Sequence, residues 1–214
     1  MKEKLCALLA GMKRPRMGRR VAALLVSVVA MGLGVAVFDR IGFGTDPCST
    51  MNLGIARTLG MPFGTTQLCV NILLMLVVIR FDLGRIGIGT LANMVLVGYA
   101  AEFFMALIDR TPALNALTLP VRAAIFVPTM ALFLVSASLY MVVDLGVAPY
   151  DAVPQIIAKR ANKPFRLVRI GWDTFMTVGG FLLGSTVGLV TLVIAFCLGP
   201  MIVFVAEKVR RFFE

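Results

Sequence analysis

The chain has 214 residues, 59% hydrophobic and 15% charged, with a mean hydropathy of +0.94. Soluble domains run about 45–50% apolar and about 25% charged, so this composition excludes an ordinary soluble domain and places the chain in a lipid bilayer. The net charge is +10 with no histidine, which removes His-ligated metal sites, Ser-His-Asp and Cys-His dyads and imidazole relays.

In chain order, a basic segment over 1–20 leads into a first apolar run near 21–38. Further runs follow near 62–80, 86–108, 119–143, 167–184 and 186–206, and a short tail occupies 207–214. Each run is close to the ~20 residues that cross a ~30 Å hydrocarbon core. The predicted fold class is therefore an all-α polytopic membrane protein with six transmembrane helices. The first run has the basic flank of a signal peptide, but no A-x-A-like site follows at Phe38-Asp39-Arg40, so it reads as a retained helix. Cys6, Cys48, Cys69 and Cys197 lack C-x-x-C spacing and read as packed, reduced thiols.

The placement of the charges sets the expected orientation. With a cytoplasmic N-terminus, seventeen of the twenty-one basic residues fall in inside segments, leaving Arg40, Arg57, Arg110 and Arg122 outside. This is the positive-inside pattern for six spans with both ends in the cytosol of a bacterial inner membrane. The basic balance thus points to membrane lipids as partners and not to nucleic acid.

Shifting the sequence by 102 positions places Gly44-Thr45-Asp46-Pro47 on Gly146-Val147-Ala148-Pro149, Ile55-Ala56-Arg57 on Ile157-Ala158-Lys159, and Pro62-Phe63 on Pro164-Phe165. Asn71 falls on Asp173, and with one residue dropped Thr90 and Gly98 fall on Thr191 and Gly199. The expected organisation is two repeats, 21–110 and 119–206, of three spans each. An odd number of crossings per repeat makes their topologies opposite, the inverted arrangement of many secondary transporters.

Each repeat carries a short helix after its first span, at 47–59 and at 149–161. Thirteen residues at 1.5 Å rise cover about 20 Å, too little to cross the core. Proline at each start suits the first helical position, and Gly60 and Asn162 suit left-handed caps past each end. Asp46 is the expected N-cap of the first, and Asp151 lies in the first turn of the second. Both helices either lie flat on the membrane or dip in from opposite sides as re-entrant halves. Small turn residues and the near absence of charge in 47–59 favour re-entry, whereas Lys159 and Arg160 favour the surface.

Polar residues inside the long spans mark the protein interior or a permeation path. They are Gln67, Asn71, Asn93, Glu102 and Asp173, with Trp172 beside the last. Asp173 reads either as a proton-carrying carboxylate or as an ion-pair partner of Arg169 one turn earlier. Glu102 is expected near an interface. Ala30/Gly34, Gly32/Ala36 and Gly180/Gly184 have small-xxx-small spacing for close helix packing.

Gly42-Phe43-Gly44-Thr45-Asp46-Pro47-Cys48-Ser49, Gly60-Met61-Pro62-Phe63-Gly64-Thr65 and Gly84-Arg85-Ile86-Gly87-Ile88-Gly89-Thr90 together resemble the YczE/YitT-type bacterial integral membrane protein family, over about residues 20–206. The resemblance implies fold and membrane location, with proposed transport roles, far more than a substrate. Cys48 stands where a tryptophan-bearing pattern is expected after the proline, so no shared aromatic contact is inferred there.

The resulting expectation is a secondary transporter or exporter of a small polar or amphipathic solute, working by alternating access and coupled to protons through Asp173. Its candidate binding residues are Gly44, Thr45, Asp46, Ser49, Asn71, Asn93, Gly146, Tyr150, Asp151 and Trp172, with helix N-termini suited to an anionic group. No cofactor or metal is expected, and a homo-oligomer is left open. The alternatives are the substrate-binding membrane subunit of an ATP-driven transporter, since the chain has no G-x-x-x-x-G-K-[ST] of its own, and a non-transporting scaffold. An enzyme is not expected: Gly42–Asp46 resembles a G-x-G-D protease signature only superficially, because Thr45 intervenes and no acid partner is evident.

Overall fold

The structure is a computed structural model that describes residues 16–111 and 117–194 together with Phe204, Glu207 and Lys208. The described residues are helical, without strands. In order the helices are α1 (Met17–Ile41), α2 (Pro47–Leu59), α3 (Phe63–Phe81), α4 (Ile88–Asp109), α5 (Leu119–Val143), α6 (Pro149–Ala161) and α7 (Phe165–Leu182). An eighth, α8, is described over 189–194.

Four of these, α1, α3, α4 and α5, are long and apolar enough to cross a membrane. α7, expected as a fifth apolar span, is 18 residues long but carries Arg166, Arg169 and Asp173, so its composition alone does not qualify it. Most of the expected span 186–206, the first fifteen residues, Cys6 and Cys197 lie outside the described residues. Burial follows the pattern of a lipid-solvated protein. Val26, Leu73, Phe103 and Val127 face outward at 64–65% exposure, while Ser27, Gln67, Asn71, Ser138 and Asp173 are buried. In hydrocarbon the apolar side chain costs nothing outside, and the polar one needs a partner inside.

The centre is the antiparallel pair α1 and α5. Arg20, near the start of α1, donates Nη1–H to the carbonyl of Val143 at the end of α5 (2.9 Å). Arg122, near the start of α5, donates to the carbonyl of Ile41 at the end of α1 (3.4 Å). Each arginine thus supplies a cation to the other helix's negative end, where carbonyls lack intrahelical partners. α4 also packs on α1, meeting it at Gly32 where α5 meets it at Gly34, and Phe38, Phe133, Met105 and Val190 belong to one apolar core. The two short helices are sandwiched alike, α2 and α6 each lying against both α3 and α7.

Local chemistry explains where the short helices begin and end. Asp46 accepts the Ser49 N–H at 3.1 Å as N-cap of α2, Pro47 takes the first turn, and Gly60 closes the helix at φ +65°. α6 opens on Pro149 and closes on Asn162 at φ +48°. Both bury their first turns and expose their last: Arg57–Leu59 and Lys159–Ala161 are exposed, whereas Pro47, Ser49 and Thr50, and Pro149 and Tyr150, are buried. In α6 the small residues of the preceding turn and the basic pair therefore belong to opposite ends of one helix. Lys159 and Arg160 sit at the outer end of a segment whose start lies within the protein.

Three of the four cations expected outside have structural duties. Arg57 ties the end of α2 to Asp39 (2.9 Å) and to the Gly184 carbonyl (3.0 Å), Arg40 bridges Asp39 and Asp109, and Arg122 caps α1. Glu102, expected at an interface, accepts the Gly64 N–H at 2.8 Å and so supplies an acid to the start of α3.

The loops preceding α2 and α6 are held by the starts of α8 and α4 respectively. Gly89 N–H donates to the Leu145 carbonyl (2.8 Å), and Val190 N–H to the Phe43 carbonyl (3.0 Å). Gly44 (φ +81°) and Gly146 (φ +122°) sit at the contact. A Cβ on Gly44 would lie 2.5 Å from the Gly188 nitrogen and 2.6 Å from Thr191 Oγ1. On Gly146 it would lie 2.7 Å from the Gly87 nitrogen and 2.6 Å from Thr90 Oγ1. Left-handed backbone costs an L-residue about 1–2 kcal/mol before any clash. Gly44→Ala and Gly146→Ala are therefore each expected to destabilise the protein by at least about 2 kcal/mol in thermal unfolding of the solubilised protein. Gly171→Ala, in open helix, is expected to be neutral or mildly stabilising. Equal effects at all three positions would remove the clasp from the account.

Candidate functional site

The starts of α2 and α6 meet at one cavity of about 80 Å³, lined also by α1, α3, α4, α5, α7 and α8. At roughly 10–15 Å³ per water centre it has room for a few waters or one small solute. Its lining comes largely in pairs separated by the constant sequence offset. Met31 and Phe133, Val35 and Ala137, Asp46 and Ala148, Cys48 and Tyr150, Ser49 and Asp151, and Gln67 and Arg169 are each 102 residues apart. Asn93 and Ile194 are 101 apart.

The chemistry of the paired positions differs. On the side of α6 and α7, Arg169 donates Nη1–H to Asp151 (2.6 Å) and Nε–H to Asp173 (2.9 Å), and its guanidinium lies 5.1 Å from the Tyr150 ring centroid. The Tyr150 hydroxyl donates to the other oxygen of Asp173. Trp172 packs on Tyr150 with centroids 5.9 Å apart. These four polar groups satisfy one another, as buried charges must. The counterparts on the side of α2 and α3 are Cys48, Ser49, Gln67 and Asn71, all uncharged. Here the acid is Asp46, half-buried, whose Oδ1 is held by the Ser49 N–H and which has no salt bridge among the described residues. Gln67 is 4% exposed and its Oε1 lacks a hydrogen-bond partner among the described residues.

Asn93 opens a single π turn, Asn93–Val97, within α4, and both ends of that turn line the cavity. A π turn shifts the register of the residues it presents and is common at functional sites. Tyr140 closes the cavity from α5, its hydroxyl donating to the Gly146 carbonyl (3.3 Å).

Of the candidate binding residues, Asp46, Ser49, Asn93, Tyr150 and Asp151 line the cavity. Asp173 and Trp172 stand behind it through Tyr150, and Asn71 is buried on α3. Thr45 hydrogen-bonds Thr50 (3.0 Å), and Gly44 and Gly146 belong to the clasp. Gln67 and Arg169, which the list of candidates omits, face the cavity, and the same offset that pairs Asn71 with Asp173 would have paired them. The start of α2 already accepts its own carboxylate, and that of α6 has Asp151 in its first turn, which argues against an anionic group there. Removing the guanidinium would leave two acids without a cation, so Arg169→Gln is expected to cost about 3 kcal/mol of stability. Asp151→Ser and Asp173→Asn added to it reproduce the side chains of the α2–α3 side, and this triple variant is expected to recover most of the loss in thermal unfolding.

Comparison with known proteins adds the family. A family described as "Family of unknown function (DUF6198)" matches residues 18–207. An uncharacterized protein of Haemophilus influenzae is 25% identical over 193 residues, 90% of this chain and 86% of that relative. The uncharacterized membrane protein YczE of Bacillus subtilis is 22% identical over 179 residues, 83% of this chain and 80% of YczE. No solved structure matches. With the outward apolar surface, the inward polar one and this match over most of its length, the chain belongs to the DUF6198 family, as a helical integral membrane protein of the YczE type.

Proposed function

We propose that this protein is a secondary transporter of a small solute, working by alternating access between two inverted halves. The observation that carries the reading is the cavity. Both broken segments begin at it, and positions a constant offset apart line it in pairs. Inverted-repeat transporters place their substrate at such a junction, where short helix starts and irregular backbone are sheltered by surrounding spans.

Three further features support the inversion. α1 and α5, the first helices of the two halves, run antiparallel, and Arg20 and Arg122, 102 residues apart, exchange end-capping bonds. The clasp is reciprocal in the same register, Gly89 to Leu145 and Val190 to Phe43. Each short helix lies between the second helix of its own half and that of the other. In this reading α2 and α6 are re-entrant, α7 and α8 complete six spans, and both termini are cytoplasmic. α7 tolerates its charges because Arg169 and Asp173 face inward and Arg166 lies at its end. Tight pairing makes Asp173 a partner of Arg169 first. Pairing leaves its part in proton coupling to a direct test: pH-driven uptake that survives Asp173→Asn would take it out of the coupling.

Topology and access are read with cysteine in a background lacking Cys6, Cys69 and Cys197. Leu59→Cys and Lys163→Cys, at the exposed ends of the short helices, are expected to react with an impermeant thiol reagent only from outside and only from inside, respectively. Cys48, on the cavity wall, is expected to react from each side in turn and, once modified, to abolish solute uptake into proteoliposomes. Labelling of both end positions from one face would sink the inverted reading, and reaction of Cys48 from a single face under all solutes would sink alternating access.

A further inference from the structure

Within the proposed transporter, the two sides of the cavity are unequal in one specific respect. Where α7 carries a guanidinium between two carboxylates, the equivalent position on α3 is Gln67, a neutral side chain whose buried Oε1 has no partner among the described residues. The same cavity holds the carboxylate of Asp46, which has a backbone N–H on one oxygen and no salt bridge among the described residues. An ionised carboxylate held out of water needs a positive charge beside it, and an orphaned carbonyl oxygen needs a donor. A primary ammonium group, with three N–H donors and one positive charge, supplies both. Met31, Val35 and Phe133 also line the cavity, and these apolar side chains suit a carbon chain attached to such a group.

We propose that the cavity binds a small organic cation, a primary alkylammonium whose charged end lies between Asp46 and Gln67 and whose carbon chain lies against α1 and α5. The ligand takes the place that the Arg169 guanidinium fills on the opposite side. This substrate class rests on the transporter reading, but binding to the purified protein is measured without a gradient, so the two fail separately. Binding without transport would remove the transporter, and uptake of a solute with no amine that persists in Asp46→Asn would remove the ammonium site.

The test uses the full chain in micelles free of lipid amines, with n-butylammonium, n-butanol and butyrate as probes of one shape and three charges. The chain's one tryptophan, Trp172, packs on cavity-lining Tyr150 and reports occupancy by fluorescence, with thermal unfolding as a second readout. Butylammonium is expected to bind at least about tenfold tighter than either analogue, with no effect of Na⁺ at equal ionic strength. Asp46→Asn keeps an N-cap residue of equal preference but removes the charge, and is expected to erase that advantage. Gln67→Arg writes in the cation of the other side, and is expected to abolish butylammonium binding and raise the unfolding temperature. Butyrate binding as tightly as butylammonium, undiminished butylammonium binding in both variants, or no saturable butylammonium binding would overturn the proposal. Loss of the butylammonium signal when phosphatidylethanolamine is added would assign the site to a lipid headgroup and overturn the free solute.

Discussion

A helix that begins inside an apolar protein exposes N–H groups and loop carbonyls that water cannot reach, and those groups must be bonded or the helix cannot begin there. This constraint governs the molecule. α2 and α6 both start in the interior, and in each case the loop before the start is gripped by the first turn of another helix, α8 for Phe43 and α4 for Leu145. The grip works only because Gly44 and Gly146 let two backbones approach to distances that no Cβ permits. The cavity, the charges around it and the exposed ends of the short helices all depend on these starts being held in place.

Between positions 102 residues apart the charge is arranged unequally. Phe133 repeats Met31 and Ala137 repeats Val35 as apolar wall, but Arg169 replaces Gln67, Asp173 replaces Asn71 and Asp151 replaces Ser49. The charged side is self-satisfied, through a guanidinium shared by two acids and a tyrosine hydroxyl that closes the remaining oxygen. The side of α2 and α3 has one acid without a salt bridge and one amide oxygen without a partner among the described residues.

The ends of the helices show the same economy. Cations at the faces act through the helix termini: Arg20 and Arg122 on exhausted carbonyls, and Arg57 across the turn at Gly184. An arginine at a helix end can reach a carbonyl and keep its remaining N–H groups free for other acceptors.

The sequence by itself determined what is local or periodic. Runs of apolar residues placed α1, α3, α4 and α5, and proline followed by glycine or asparagine marked both ends of α2 and α6, because these are one-residue decisions about φ, N–H and hydrophobic length. Asp46 was legible as a cap, Asp173 as a partner of Arg169, and the offset of 102 as a relation between positions. Only the tertiary structure decided what those positions meet. Whether Lys159 and Arg160 hold α6 at a surface depends on where its other end goes. That Gln67 is orphaned while Arg169 is saturated depends on which side chains converge on the cavity. That Asp151 on α6 meets Arg169 on α7 was likewise decided there, because such a contact joins side chains from separate helices and no local pattern encodes it.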